Sequence, residues 1–175
     1  LFWETSCLGY SVQRDASNQV DLETTEALVQ QAFDTWRGAD CGGAGPSFSA
    51  ENLGAVSCDQ LAYDAEEKNA NVILFHDDVW PYGPGAALAL TTVTYALETG
   101  AIRDADMEIN SAGTTLTTSD TDVGVDLASI LTHEVGHFLG LSHSPVLSAT
   151  MFPDYPPQSI TLRTLDPDDA AGICA

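Results

Sequence analysis

Residues 133–143 constrain this chain more than any other segment, because they place three histidines, a glutamate and a glycine at spacings suited to a metal site. Residues four apart lie on the same face of an α-helix, so His133 and His137 can both contact one ion. Glu134 is adjacent to His133 and can hold a water molecule without ligating the metal itself. The spacing therefore predicts a helix that carries two imidazole ligands and a neighbouring carboxylate.

Gly140 predicts the end of this helix, since glycine adopts the left-handed backbone conformation at little cost. The following turn can bring His143 back as a third nitrogen ligand, which leaves the fourth position of a tetrahedral zinc open, as in catalytic sites. These could instead be ordinary histidines on a helix face, but three of the chain's four histidines lie in this one segment. We predict one catalytic Zn²⁺ bound by His133, His137 and His143, with Glu134 as the general base.

The pattern H-E-x-x-H-x-x-G-x-x-H resembles that of the metzincin metallopeptidases, whose second hallmark is a methionine-bearing turn beneath the metal. Met151 follows His143 by eight residues and matches that position. Ser144, directly after the third histidine, and the residues that follow are similar to the matrixin branch, the matrix metalloproteinase-like enzymes. Pro153 and Tyr155 match the Pro-x-Tyr segment that forms one wall of the S1′ specificity pocket in those enzymes.

The matrixin resemblance also implies a fold, and the tail 165–173, with its paired aspartates, is similar to the last helix of that family. The implied class is α+β and metzincin-like. It has a twisted five-stranded mixed sheet, two long helices, an active-site cleft, and a small C-terminal subdomain with the Met-turn and a terminal helix. We expect residues 1–175 to form one catalytic domain, with an upper subdomain over 1–140 and a lower one over 141–175.

The hydrophobic pattern agrees with that order of elements. Leu22–Arg37 has the periodicity of an amphipathic helix, and Asp126 is a suitable N-cap for a helix over Leu127–Leu139. Five strands are predicted, at Cys7–Gln13, Ser47–Val56, Ala70–His76, Ala89–Leu97 and Ile102–Asn110.

The segment before the fourth of these strands carries a further resemblance. Residues 83–89 are similar to the matrixin lead-in to an edge strand that lies antiparallel to the bound peptide. Residues 86–91 are therefore candidates for aligning the substrate, and Leu88 and Ala89 are the predicted contacts.

The sequence departs from the matrixins at a second metal site. Their structural zinc uses a His-x-Asp pair and two further histidines. His76 and Asp78 could be the remnant of that pair, but Leu90 and Asp106 lie about where the other histidines belong. We expect a single zinc, with His76 as a partly exposed histidine at a strand end.

The charge is strongly acidic, with 26 acidic against 5 basic residues and a formal net charge of −21. Nucleic acids and anionic membrane surfaces require clusters of Lys and Arg, so neither is an expected partner. The acidity could suit a salty medium, bind Ca²⁺ or keep a secreted enzyme soluble, and the last is the simplest explanation. Two oxygen-rich stretches are calcium candidates, although neither has EF-hand spacing. They are Ser119–Asp122 running on to Asp126, and the alternating residues Asp104, Asp106, Glu108 and Asn110.

Four cysteines without a C-x-x-C pair predict two disulfides and an oxidising, extracellular compartment. Three connectivities are possible. We favour Cys41–Cys58, which would bracket a glycine-rich loop, and Cys7–Cys174, which would tie the two ends together. No apolar run is long enough to span a bilayer, and the N-terminus lacks the pattern of a signal peptide, so we expect the mature form of a secreted protein.

Together these features predict a secreted, monomeric zinc endopeptidase that hydrolyses peptide bonds by zinc-activated water and prefers an apolar P1′ side chain. Two alternatives remain open. One is a zinc amide hydrolase that acts on non-peptide substrates such as cell-wall crosslinks, and the other is a non-catalytic metal-binding module. The Met-turn and the Pro-x-Tyr segment favour peptides, and the intact Glu134 argues against a pure binding module.

Overall fold

A computed structural model describes residues 1–57, 61, 63–66, 69–83, 85 and 87–175. Over these residues the chain is α+β, as predicted. The helices are α1 (Leu22–Arg37), α2 (Leu127–Phe138) and α3 (Pro167–Ile173), with a 3₁₀ turn at Thr161–Arg163. The strands are β1 (Phe2–Trp3), β2 (Cys7–Val12), β3 (Ser49–Asn52), β4 (Val72–His76), β5 (Ala89–Tyr95), β6 (Ala101–Asn110), β7 (Leu116–Thr117) and β8 (Val125–Asp126).

The main sheet of the described residues is mixed and runs in the order β1-β6-β4-β2-β3, with β5 also paired to β6. The β2–β3, β2–β4 and β4–β6 pairs are parallel, whereas β5 is antiparallel to β6. All five predicted strands are present. The sequence did not predict the two-residue β1, which is parallel to the start of β6, or the short β7–β8 pair. Strands of two residues are too short to carry a recognisable alternating pattern.

The two long helices pack against each other through aromatic residues of α1. Phe33 and Trp36 are completely buried, and the ring of Phe33 meets that of Phe138 edge to face with centroids 5.2 Å apart. Trp36 Nε1 donates a hydrogen bond of 2.7 Å to the main-chain oxygen of Thr132. A buried indole N–H requires such a partner, so this contact fixes α1 along the middle of α2.

The helix α2 begins at the predicted cap. Asp126 accepts a hydrogen bond of 2.9 Å from Ser129 N, which satisfies one of the free N–H groups of the first turn. The same carboxylate is fully buried and receives Arg163 Nη2 at 2.5 Å and Arg163 Nε at 2.8 Å. The paired guanidinium compensates the buried charge, so α2 has a firmly held N-terminus.

The predicted cysteine pairing is wrong. Cys41 is bonded to Cys174, with their Cα atoms 5.4 Å apart, so neither Cys41–Cys58 nor Cys7–Cys174 can form. The reason is tertiary: α3 ends beside the loop that follows α1, and residues of both segments line one surface cavity. Cys7 is exposed at the start of β2 and forms no disulfide with a described cysteine, while Cys58 lies outside the described residues. No helix of the described residues is long and apolar enough to cross a membrane.

Candidate metal centre

The three predicted ligands come together as the spacing required. His133 and His137 lie one turn apart on α2, with ring centroids separated by 4.9 Å. Gly140 has φ +101°, a conformation that strongly favours glycine, and the chain turns back there. The ring centroid of His143 thereby lies 5.2 Å from that of His133 and 4.8 Å from that of His137. One ligand atom from each of the three lies within 4.8 Å of the other two, and no comparable group of three exists elsewhere in the described part of the chain.

The hydrogen bonds of the first two histidines prepare them for a metal. His133 Nδ1 donates to the main-chain oxygen of Thr150 at 2.6 Å, and His137 Nδ1 donates to that of Leu141 at 2.9 Å. A carbonyl can only accept, so each Nδ1 carries the proton and each Nε2 keeps its lone pair. The Nε2 atoms of His137 and His143 lie 3.2 Å apart. This donor set fits the tetrahedral nitrogen coordination that zinc prefers.

Burial keeps the two histidines of α2 neutral. It lowers the pKa of His133 to about 4, although the hydrogen bond to Thr150 opposes the shift and the nearby His137 and His143 add to it. Burial also lowers the pKa of His137. Because only neutral imidazole binds a metal ion, both residues are ready to bind at neutral pH without first losing a proton.

Met151 lies directly beneath α2, as the resemblance implied. Its side chain is almost completely buried. A Cβ atom added at Gly136, between the first two histidines, would overlap Met151 Sδ and lie 2.7 Å from Trp36 Cζ2. The absence of a side chain at Gly136 therefore allows the Met-turn to approach the helix that carries the ligands.

Asp169 supports the Met-turn, a role that sequence analysis missed. Its buried carboxylate accepts hydrogen bonds from Thr150 N at 2.6 Å and Met151 N at 3.0 Å. It also accepts from Asp166 N at 2.9 Å, as part of a capping box at the start of α3. Since Thr150 O accepts a hydrogen bond from His133, the chain of contacts runs from α3 to a predicted metal ligand. The paired aspartates of the tail were the available signal, but they indicated only a helix start.

Glu134 is buried beside the histidines. Thr91 Oγ1 donates a hydrogen bond of 2.5 Å to Glu134 Oε2. Burial raises the pKa of Glu134 to about 7, while the bond from Thr91 opposes that rise. Sequence analysis placed Thr91 in a substrate-aligning segment and did not predict its contact with Glu134, because the two residues meet only through packing of β5 on α2.

The histidines and Glu134 line a cavity of about 710 Å³. One side is formed by residues 87–91, and the other by residues 152–155 with Leu162. All four predicted substrate contacts line it, namely Leu88, Ala89, Pro153 and Tyr155. A larger cavity of about 1150 Å³ contains His143 and Met151 but neither Glu134 nor the two helical histidines, so the smaller cavity is the candidate active site.

A polar network occupies the region of the expected remnant zinc site. His76 Nε2 lies 2.7 Å from Glu108 Oε1, and Tyr82 donates a hydrogen bond of 2.5 Å to Glu108 Oε2. The calcium candidates likewise have protein partners: Asp120 and Asp126 both bind Arg163, and Asp106 accepts from Val72 N. The calcium prediction gains no support from the described residues.

Comparison with known protein families matches residues 59–175 to the matrixin family. The chain belongs to the matrixin family. Three relatives show how much of this chain, and how much of each relative, the similarity covers. It is 39% identical to Metalloendoproteinase 1 of Glycine max over 113 residues, which cover 61% of this chain and 35% of the relative. It is 32% identical to human Matrix metalloproteinase-19 over 152 residues, 87% of this chain and 26% of the relative.

The third relative, human Neutrophil collagenase, is 27% identical over 174 residues, 99% of this chain and 32% of the relative. The matrixin chain thus spans between 26% and 35% of the length of these three proteins. Family membership confirms the predicted resemblance and the metzincin-like fold. It also supports the prediction of a zinc metalloendopeptidase.

Proposed function

We propose that this matrixin chain is the catalytic domain of a secreted zinc endopeptidase. One observation carries the proposal: three imidazoles converge beside a buried glutamate, and two of them have their Nδ1 protons held by main-chain oxygens. A structural zinc site needs four protein ligands and no unligated carboxylate. A site with three histidines and a neighbouring Glu134 suits hydrolysis.

The proposed chemistry assigns one role to each group. His133, His137 and His143 would hold zinc, which lowers the pKa of water and polarises a scissile carbonyl when it is bound. Glu134 accepts a proton from the attacking water and then delivers it to the leaving amine. Burial raises the pKa of this carboxyl group, which favours its acting first as a base and then as an acid. Water is the nucleophile, so the mechanism requires no Ser or Cys nucleophile.

The proposed substrate is an extended peptide that adds to β5. Within the described residues β5 pairs only with β6, so its other edge is free to hydrogen-bond an antiparallel strand. Leu88 and Ala89 would contact the peptide main chain. The P1′ side chain would enter beside Ile130, Tyr155 and Leu162, which line the same cavity, and their apolar surfaces favour an apolar residue.

Tyr155 is well placed to act as the pocket wall. Its hydroxyl accepts a hydrogen bond of 2.9 Å from Asp126 N and donates one of 2.5 Å to Ser159 O. These contacts hold the ring between the start of α2 and the following loop. We propose that Pro153 and Tyr155 form the wall, with residues 1–140 above the cleft and 141–175 below it.

Secretion and a monomeric state are part of the proposal. The Cys41–Cys174 disulfide supports an oxidising compartment. The net charge of −21 opposes binding to nucleic acids or to anionic membranes, so peptides are the expected partners.

Digestion of a peptide library with zinc, with a chelator and after zinc is restored tests this function. We expect cleavage before apolar residues, loss with the chelator and recovery with zinc. The Glu134→Gln variant should bind zinc without cleaving, whereas Glu98→Gln, in an exposed turn, should cleave like the wild type. Zinc binding without any cleavage by the wild type would favour a binding module or a hydrolase of other amides.

A further inference from the structure

The carboxylate of Glu134 has a single hydrogen-bond donor among the described residues. Thr91 Oγ1 lies 2.5 Å from Glu134 Oε2 and 3.3 Å from the main-chain oxygen of Glu134. A hydroxyl has one proton, and the contact with the side-chain oxygen is 0.8 Å shorter and therefore the stronger hydrogen bond. The proton of Thr91 is therefore directed to Oε2, and Oε1 accepts no hydrogen bond from the described part of the chain.

The strand β5 holds this hydroxyl rigidly. Thr91 pairs with Met107 on β6, and Met107 is completely buried. Successive side chains of a strand point to opposite faces, so the half-buried Thr91 faces α2 while Thr92 is exposed. The donor thus belongs to a paired strand and not to a loop, and a strand can position a group more precisely.

The same strand is the one along which we place the peptide. Leu88, Ala89 and Thr91 all line the cavity that contains Glu134. A peptide hydrogen-bonded to β5 and a carboxylate hydrogen-bonded to β5 share one rigid support. The strand then fixes the distance between the peptide and the carboxylate, whatever the relative position of the two proposed subdomains.

We propose that Thr91 is a positioning residue, whose hydroxyl fixes Oε2 of Glu134 so that Oε1 points at the attacking water. This inference rests on the proposed role of Glu134 as general base. A general base must lie within hydrogen-bonding distance of the proton that it removes. A carboxylate held at one oxygen has fewer orientations, so more of its population has that geometry.

The test compares Thr91→Val, which removes the hydroxyl but keeps the branched shape, with Thr91→Ser, which keeps the hydroxyl. For Thr91→Val we expect kcat to fall by about 10- to 100-fold, with KM and zinc content unchanged. Thr91→Ser should retain most of the wild-type kcat. Thr92→Val makes the same chemical change on the exposed face of β5 and should behave like the wild type.

A second comparison separates positioning from a general structural role. In a Glu134→Ala background, Thr91→Val should not lower the residual rate further, because its effect acts through the absent carboxylate. An unchanged kcat in Thr91→Val, equal damage from Thr91→Ser, or a loss of zinc in Thr91→Val would overturn the inference. A wild-type protein that binds zinc but cleaves no peptide overturns the proposed function itself, so the two failures are distinguishable.

Discussion

His133 and His137 each donate Nδ1–H to a main-chain oxygen, and these two bonds decide which nitrogen can bind a metal ion. The ligands themselves follow from the spacing of the sequence. The acceptors do not, because Thr150 belongs to the Met-turn and reaches His133 only after the chain has turned back at Gly140. The histidines of the site can thus be predicted from the sequence, whereas the main-chain oxygens that orient them cannot.

Replacement of the third ligand should weaken zinc binding. His143→Ala leaves two nitrogen ligands on α2. Substitution of a residue that only hydrogen-bonds to a ligand typically lowers metal affinity by about 10- to 100-fold, so we expect the loss of a ligand to lower zinc affinity by more than about 100-fold. Equilibrium competition with a chelator measures this. His76→Ala removes the histidine that contacts Glu108 and should leave the zinc content unchanged. Full zinc affinity in His143→Ala would show that another group completes the site.

At Gly136 we expect alanine to lower the stability of the protein, although helix propensity alone would predict the opposite. Alanine normally stabilises a helix interior relative to glycine by about 0.5–1 kcal/mol. Here the added methyl would overlap Met151 Sδ and approach the rigid Trp36 ring, so we expect Gly136→Ala to destabilise by about 1–3 kcal/mol. Urea unfolding measures the change. Gly113→Ala meets only ordinary contacts and is the control; a Gly136→Ala variant as stable as the wild type contradicts the packing described for the Met-turn.

At the scale of elements, caps and patterns were the predictable features. Sequence analysis predicted Asp126 as the cap of α2 but did not predict Asp21 as the cap of α1, and both helices lie within one residue of their predicted bounds. The contact between β5 and α2 could not be predicted in the same way, because alternation shows which side of a strand is buried and not which residue meets it. Thr91 and Glu134 are 43 residues apart along the chain.

The start of α2 should be sensitive to the loss of Arg163. Arg163→Gln leaves the carboxylate of Asp126 buried without its charged partner, so we expect a loss of about 3 kcal/mol at pH 7. The control is Arg103→Gln, since Arg103 and Glu4 form an exposed pair that should contribute no more than about 1 kcal/mol. Urea unfolding of both variants measures the difference. Equal losses of stability in the two variants would show that the buried pair contributes no more than the exposed one.

Acid should abolish the difference between the wild type and Arg163→Gln. Burial alone would raise the pKa of Asp126, but hydrogen bonds from Arg163 and Ser129 outweigh it and hold the pKa below its usual range. A carboxyl group with a depressed pKa contributes stability that is complete above its unfolded pKa, about 3.9, and is lost as the pH falls through the folded value. The stability gap should therefore shrink below about pH 4. A constant gap from pH 7 to pH 3 contradicts this account.

At the scale of the whole molecule, the C-terminal segment supports the predicted zinc site and is itself held by a disulfide. Asp169 on α3 binds the Met-turn, and Cys174 at the end of α3 is bonded to Cys41 beyond α1. Sequence analysis predicted an oxidising compartment from the four cysteines, but not their partners. Proximity along the chain suggested Cys58 for Cys41, whereas the fold joins residues separated by 133 positions.

Loss of this disulfide should destabilise the protein strongly. For a loop of this size the chain-entropy estimate is about 5 kcal/mol, which we take as the upper bound for Cys174→Ser. Cys7→Ser, at an exposed position outside that disulfide, should unfold like the wild type. Urea unfolding of the two variants, with peptide mapping of the unreduced protein, measures both stability and linkage. A mapped Cys7–Cys174 bond would contradict the structure.

Titration of zinc into metal-free protein, with peptide cleavage as the signal, tests the central claim most directly. We predict no cleavage without metal, a linear rise with added zinc, and saturation at one equivalent per chain, because one group of three histidines is available among the described residues. Cleavage by the metal-free protein, or a rate that requires two equivalents of zinc, would contradict the account.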